Sequence, residues 1–190
     1  QVDTVIATVP VFKLTSSLSN GYFKYASLPA AIDKINFNIN GHNKDGDYKH
    51  TEFELSNLNI QALSNYIRGF AKLKTSGNTP IDVQLNGLLN LAEIKEFYPI
   101  KDLELNGKLN LNLKSRGAYN KKKKQFPVTE AAILLNDGRI KTAHFDQALE
   151  RITIDGVLTN RDGSLKSTVM NIKPVSFEMG GQPFQLRAAV

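Results

Sequence analysis

The chain has 190 residues, of which 41% are hydrophobic, so it is long and apolar enough to bury a core rather than remain disordered. It contains no Cys, which excludes a disulfide framework and a cysteine-based metal site. The net charge is +6, but Lys121–Lys124 supply four of these charges and leave only +2 elsewhere, which argues against a nucleic-acid-binding face.

The first predicted elements lie in residues 10–60 and form a β meander. Asn20-Gly21 and Asp45-Gly46 predict hairpin turns, because Asn or Asp followed by Gly accepts the positive φ that a two-residue turn needs. Apolar and polar residues alternate around these turns, which places the apolar side chains on one face of each strand. The alternating apolar residues are Ile35, Phe37, Ile39, Phe53 and Leu55.

Short helices and central strands are predicted for the region that follows, residues 61–126. Ile81, Val83 and Leu85 alternate with polar residues and predict one strand. The clearest strand is Leu103–Leu113, in which leucines alternate with Glu, Lys and Asn and share one face. The helix candidates are Ile60–Tyr66, Leu91–Tyr98 and, further along the chain, Phe145–Arg151.

Residues 127–177 repeat residues 10–60 at a constant spacing of 117 residues. The two segments share 13 identities in 51 positions without a gap, where composition alone predicts about three. The shared positions include Asp137-Gly138 and Asp162-Gly163, which predict the same two turns as in the first unit. We interpret the two segments as a duplicated unit. Further strands are predicted by the alternation of Val175, Phe177 and Met179 and of Phe184 and Leu186.

These elements predict a mainly β protein, a single domain over residues 1–190 in which a duplicated antiparallel meander forms a long curved sheet with two or three short helices. Two or three turns of helix cannot cover about ten strands that each offer several apolar side chains. The apolar face must then close on itself as a flattened barrel or sandwich, meet a partner, or form an open groove for an apolar ligand.

The sequence contains no arrangement of residues typical of an enzyme or a metal site. His42, His50 and His144 do not coincide in the repeat and lack a surrounding cluster of ligands, so we interpret them as solvent-exposed. Asn43–Asp47 resembles the start of a calcium loop but lacks the required glutamate, so it predicts a turn. We therefore expect a non-enzymatic protein with no cofactor and no bound metal.

The strongest charge feature is the run Lys121, Lys122, Lys123 and Lys124, which lies between the Leu103–Leu113 strand and the second unit. One interpretation is a solvated loop, the usual fate of such a run. The other is contact with an anionic surface of lipid headgroups, which contributes about 1 kcal/mol per Lys near such a surface. The sequence leaves both interpretations open.

Two stretches of the chain resemble AsmA-like proteins, in particular those of Bacteroidetes. Gly87–Pro99 followed by Leu103–Leu111 resembles the family's Gly, Leu-Asn-Leu and Phe-Tyr-Pro pattern with alternating leucines, and Val175–Phe184 resembles its later strand pair. The resemblance implies an inner-membrane anchor, a long periplasmic β body and a groove lined with apolar side chains. No apolar run here is long enough to span a membrane, so the chain is predicted to be a fragment of a larger protein.

The resemblance implies a role in outer-membrane lipid supply and assembly, with phospholipid or another acyl-chain lipid, membrane surfaces and envelope proteins as partners and no nucleic acid. The alternative is a structural or protein-interaction β domain of the periplasm with no ligand. The predicted location is the periplasm, with the full-length protein anchored in the inner membrane. The candidate lining of the lipid groove comprises Leu103, Leu105, Leu109, Leu111, Ile35, Phe37, Phe53, Leu55, Ile81, Val83 and Leu85.

Overall fold

The computed structural model describes residues 8–76 and 78–187, which form one sheet of 11 antiparallel strands. The sheet confirms the predicted mainly β antiparallel meander, and it is open rather than closed into a barrel or sandwich. The strands are β1 (Phe12–Phe23), β2 (Ile32–Asn43), β3 (Glu52–Ala62), β4 (Asn65–Lys74), β5 (Thr79–Asn90), β6 (Leu103–Tyr119), β7 (Val128–Thr142), β8 (Leu149–Asn160), β9 (Thr168–Ile172), β10 (Val175–Met179) and β11 (Gln182–Leu186).

Strand order follows chain order along the whole sheet, and neighbouring strands run antiparallel. β9 and β10 both pair with β8 and so act as one interrupted strand. Pro174 lies at the interruption, where a residue without an amide proton cannot continue the ladder. The amide of Lys173 instead donates to the carbonyl oxygen of Asp155 at 2.9 Å.

One of the three predicted helices is confirmed. Leu91–Tyr98 contains a 3-10 turn at Leu91–Glu93 that continues into the four-residue helix α1 (Ile94–Phe97). The prediction for Ile60–Tyr66 is wrong, because this segment ends β3, turns and begins β4. The prediction for Phe145–Arg151 is also wrong, because its second half is the start of β8. In both places pairing with neighbouring strands outweighs a weak local preference for helix.

The hairpin turns predicted at Asn20-Gly21 and Asp137-Gly138 are also wrong. Both pairs lie inside long strands, where three residues on β1 or β7 face two on the next strand. Asn20 and Asp137 do adopt the positive φ that the pattern predicts, 51° and 50°. The sequence signal for positive φ was therefore correct, but it marks a β-bulge, which bends and twists the strand instead of reversing it.

The turns predicted at Asp45-Gly46 and Asp162-Gly163 do separate consecutive strands. Each pair belongs to a longer connection that also contains a 3-10 turn, Tyr48–His50 in the first unit and Leu165–Ser167 in the second. Gly46 and Gly163 both have a φ of 79°, as the turn signal predicts. Asn43–Asp47 accordingly forms a turn.

The spacing of 117 residues recurs in the backbone. The bulges of β1 and β7 are 117 residues apart, as are Lys34 and Arg151, which lie in bulges of β2 and β8 and both have a φ of 50°. The correspondence also reaches beyond residue 177, since the two-residue turn between β3 and β4 matches the one between β10 and β11. That two such units arose by duplication remains a prediction.

Candidate functional site

The strand register places all eleven candidate lining residues on the same face of the sheet. Residues directly opposite each other in an antiparallel pair share a face. Leu85 lies opposite Leu113 and Phe53 lies opposite Leu73, so one face can be followed from strand to strand. This apolar face carries Ile35 and Phe37 of β2, Phe53 and Leu55 of β3, Ile81, Val83 and Leu85 of β5, and Leu103, Leu105, Leu109 and Leu111 of β6.

The apolar face is larger than the sequence predicted. The ladders add residues from β1, β4 and β7–β10, and further residues from β3 and β5. Some of these strands contain bulges that interrupt the alternation of apolar and polar residues. The sequence could have identified the residues that follow a bulge. A bulge adds one residue to the strand, so the alternation of apolar and polar residues resumes one position later after each positive-φ residue. The added residues include Leu14, Leu18, Leu58, Ile60, Ile67, Leu89, Ile133, Leu135, Ile140, Ile152, Ile154, Met170 and Phe177.

The opposite face is mainly polar and carries cross-strand ion pairs, although Phe70, Leu88 and Leu134 also lie on it. Glu52 lies 2.6 Å from Lys74, Glu54 lies 2.9 Å from Lys72, and Arg139 lies 2.7 Å from Glu104. The hydrogen bond from Lys74 holds the pKa of the Glu52 carboxyl below its usual value. These pairs are solvent-exposed, so they set the register and polarity of this face more than they stabilise the fold.

Almost none of the apolar face is buried. Within the described residues, the buried hydrophobic side chains are Ala62, Phe97, Leu135 and Ile152. The accessible surface is 13162 Å², whereas a compact monomer of this mass exposes about 9,000 Å². A soluble monomer rarely exposes a continuous apolar patch larger than a few hundred Å². The apolar face is therefore a surface that has no covering layer in the described part of the chain.

One end of the sheet is partly closed by the connections between β1 and β2 and between β5 and β6. The amide of Ala30 donates to the carbonyl oxygen of Glu96 at 2.8 Å, although two strands lie between these connections. The rings of Phe23, Tyr25 and Tyr98 form a chain of edge contacts at this end, with centroids 4.9 and 6.1 Å apart. The two connections thus meet at this end of the sheet, where the buried side chains of Ala62 and Phe97 also lie.

The lysine run lies at the other end of the sheet. Lys121–Lys124 form the turn between β6 and β7, and the amide of Lys124 donates to the carbonyl oxygen of Lys121 at 3.3 Å. All four side chains are exposed. They lie beyond the strand ends and belong to neither face, so the structure separates them from the apolar lining.

The histidines do not form a site. His42 lies 3.7 Å from Glu52 on the polar face, His50 lies 2.5 Å from Asp45 in a strand connection, and His144 lies in the connection before β8. The described residues contain no group of three His, Cys, Asp or Glu side chains that could hold a metal ion. They also contain no helix long and apolar enough to cross a membrane.

The fold and its face define an open antiparallel sheet with one uncovered apolar surface. No model of a known protein family, no curated protein and no solved structure matches this chain.

Proposed function

We propose that the chain is a non-enzymatic module of the bacterial envelope that holds or conducts lipid along its apolar face and so supports outer-membrane lipid supply and assembly. The observation that carries this proposal is the uncovered apolar face, which runs through every strand of the sheet. The resemblance to AsmA-like proteins supplies the setting: a periplasmic body whose full-length protein is anchored in the inner membrane, with phospholipid as the partner.

The apolar face suits acyl chains better than a ligand that needs specific recognition. Its side chains are mainly Leu, Ile, Val and Phe, and most polar and charged residues of the same strands point away from it, with Ser115, Thr129 and Thr142 as exceptions. Each methylene moved from water onto such a surface contributes about 0.8 kcal/mol without any directed contact. A lipid could therefore slide from strand to strand, because each position offers the same aliphatic environment.

The dimensions of the sheet also fit acyl chains. Ten strand positions spaced about 4.8 Å apart give an apolar face on the order of 45 Å long. A single leaflet of a bilayer has a hydrocarbon thickness of about 15 Å, which is the depth that fluid acyl chains of one leaflet occupy. Several chains can lie side by side along the face, with their headgroups in water.

A structural or protein-interaction domain is the second candidate, and the sheet edges favour it. Among the described residues, β1 pairs only with β2 and β11 pairs only with β10. Each of these strands presents an outer row of backbone donors and acceptors that can pair with a strand from a partner. In this alternative the apolar face meets protein and holds no lipid.

Site-specific photocrosslinking in bacterial cells distinguishes the two candidates. A photoreactive amino acid replaces Leu111 on the apolar face, and the matched control places it at Asn112, the next residue of the same strand, whose side chain points to the polar face. We expect mass spectrometry to find a phospholipid adduct at residue 111 and none at residue 112.

The outcomes separate the candidates. A phospholipid adduct confined to residue 111 supports lipid binding. Adducts to protein at residue 111, without lipid, support the interaction domain and reject the lipid proposal. Equal lipid labelling at residues 111 and 112 also rejects it, because the adducts then report contact with lipid that does not depend on the face.

A further inference from the structure

Four strand connections lie at the same end of the sheet, because β2, β4, β6 and β8 run in the same direction and end there. The connection between β4 and β5 has no charged residue, and the three that do carry charge are those between β2 and β3, between β6 and β7 and between β8 and β9. We call these connections, residues 44–51, 120–127 and 161–167, the basic rim. They contain eight Lys or Arg and three Asp, a formal charge of +5. The connections at the opposite end, residues 24–31, 63–64, 91–102, 143–148 and 180–181, contain three Lys and four Asp or Glu, a formal charge of −1.

The three carboxylates of the basic rim are engaged within their own connections. Asp45 accepts from the amide of Asp47 at 3.0 Å and lies beside His50, while Asp47 accepts from the amide of Lys49 at 2.8 Å. In the second unit, Asp162 accepts from the amide of Ser164 at 2.7 Å. The carboxylates therefore stabilise the turns, and the net charge of +5 already includes them.

The basic side chains of the rim are exposed and form no ion pair with the described residues. They are Lys44, Lys49, Lys121, Lys122, Lys123, Lys124, Arg161 and Lys166. A shallow depression is lined by Lys49 of the first connection, by Lys121–Lys123 of the second, by Tyr119, and by Ser76 and Asn78 of the uncharged connection between β4 and β5. Positive charge from two separate connections thus converges on one place.

Two hydrophobic side chains project from the same rim at equivalent positions of the two units. Tyr48 is 53% exposed and Leu165 is 60% exposed. They are 117 residues apart, each opens a 3-10 turn, and each is followed by a lysine, Lys49 or Lys166. Exposed apolar tips flanked by lysines are typical of segments that enter the interface of a bilayer, where the apolar part is buried and the amine contacts phosphate.

We propose that the basic rim docks the protein on the surface of a bilayer that contains anionic phospholipid, with Tyr48 and Leu165 entering the interface and the lysines contacting headgroup phosphates. The connections of the rim span about six strand spacings, on the order of 30 Å, so they touch a flat surface along a line. The apolar tips favour a bilayer over a nucleic acid, since a chain of phosphates offers them no apolar interior. The proposal is independent of whether the apolar face holds lipid.

Vesicle co-sedimentation tests the docking. The probes are vesicles of phosphatidylcholine alone and vesicles with 30% phosphatidylglycerol, at about 0.05 and 0.5 M salt. We expect binding only to the anionic vesicles, weakened at high salt. The triple variant K121Q/K122Q/K123Q is expected to partition on the order of 100-fold less. The left-handed Lys124, with a φ of 51°, is left unchanged so that the turn keeps its conformation.

The matched control is K24Q/K95Q/K101Q, which removes the same charge from exposed lysines at the opposite end and is expected to bind as the parent does. The variant Y48S/L165S keeps every charge and is expected to bind at least tenfold less. Equal losses in the two lysine variants overturn the proposal, because binding then follows net charge. Unchanged binding of Y48S/L165S also overturns it, as does tighter binding of the rim to single-stranded RNA than to anionic vesicles.

Photocrosslinking at residue 111 separates this result from the proposed function. If the protein docks on vesicles but acquires no lipid adduct at residue 111, the docking of the basic rim is supported and the lipid-holding function is rejected. If it acquires the adduct but does not dock on vesicles, the lipid-holding function is supported and the docking of the basic rim is rejected.

Discussion

The Glu93 carboxylate is the most heavily hydrogen-bonded acidic group at the helical end of the sheet. One of its oxygens accepts from the amide and hydroxyl of Ser64, at 2.9 and 2.8 Å, and from the side-chain amide of Asn65 at 2.9 Å. The other accepts from the side chain of Asn90 at 2.8 Å. These bonds tie the turn between β3 and β4 to the end of β5. The hydrogen bond from the Ser64 amide is the main reason that the pKa of Glu93 lies below its ordinary value.

We expect Glu93→Gln to lower the urea midpoint of unfolding at pH 7 and to lower it less at pH 3. A carboxyl whose pKa is lower in the folded state stabilises the fold above its unfolded pKa, near 4.5, and this contribution is lost as the pH falls through the lower folded value. Glu96→Gln is the control, since the described contact of Glu96 is through its backbone carbonyl. A difference between parent and E93Q that persists undiminished at pH 3 would contradict the prediction.

Single residues were predicted from the sequence only where their role depends on local alternation. The eleven candidate lining residues were correctly assigned to one face because period-two alternation determines the face of a strand without reference to the rest of the fold. The Glu93 contacts could not be found in this way, because Ser64 and Asn65 are 29 and 28 residues away along the chain. The burial of Asn43 could not be predicted either. The repeat aligned Asn43 with Asn160 but did not indicate that both side chains are buried.

Equivalent turns of the two units differ in one residue whose cost can be measured. The two-residue turn between β3 and β4 begins with Leu63, at a φ of 53°, whereas the turn between β10 and β11 begins with Gly180, at 59°. A left-handed conformation costs a non-glycine residue about 1–2 kcal/mol. The side chain of Leu63 is exposed, so it recovers little of this cost by burial.

We expect Leu63→Gly to stabilise the protein by about 0.5–1 kcal/mol, the relief of strain less the extra backbone entropy of glycine in the unfolded chain. The reciprocal change Gly180→Leu is expected to destabilise by about 0.5–1 kcal/mol for the same two reasons, plus the cost of displacing the Gln147 side chain, which lies 3.1 Å from an added Cβ. Denaturant unfolding followed by circular dichroism measures both. If Leu63→Gly destabilises the protein, Leu63 makes a contact on the surface that outweighs its backbone strain.

At the level of elements, alternation predicted the strands and mistook the bulges for turns. An Asx-Gly pair signals positive φ, and both a hairpin turn and a bulge require it. The difference depends on the partner strand: β1 continues past Gly21 because Ile35 and Ile32 of β2 remain available opposite Gly21 and Phe23. The sequence therefore located the special backbone positions and could not decide whether the chain reverses there.

The whole molecule is held together almost entirely by contacts between neighbouring strands, with no second layer on either face in the described residues. Such a structure is nearly one-dimensional, so its stability is a sum of contributions from strands and from the ladders between them. A strand at the edge has one ladder and a central strand has two. Local opening is therefore easiest at β1 and β11 and hardest near β6 and β7.

The repeat offers a matched test of this arrangement. β1 and β7 have equivalent bulges and share residues at equivalent positions, but β1 pairs on one side and β7 on both. We expect amide hydrogen exchange to be at least tenfold faster in β1 than at the equivalent positions of β7. We also expect faster exchange in β11 than in β4, its equivalent in the first unit, because β11 pairs on one side and β4 on both. Hydrogen exchange with mass spectrometry, read in peptides that cover each strand, measures the ratios. Equal protection of β1 and β7 would mean that the outer edge of β1 is covered in solution, which would support pairing with a further strand.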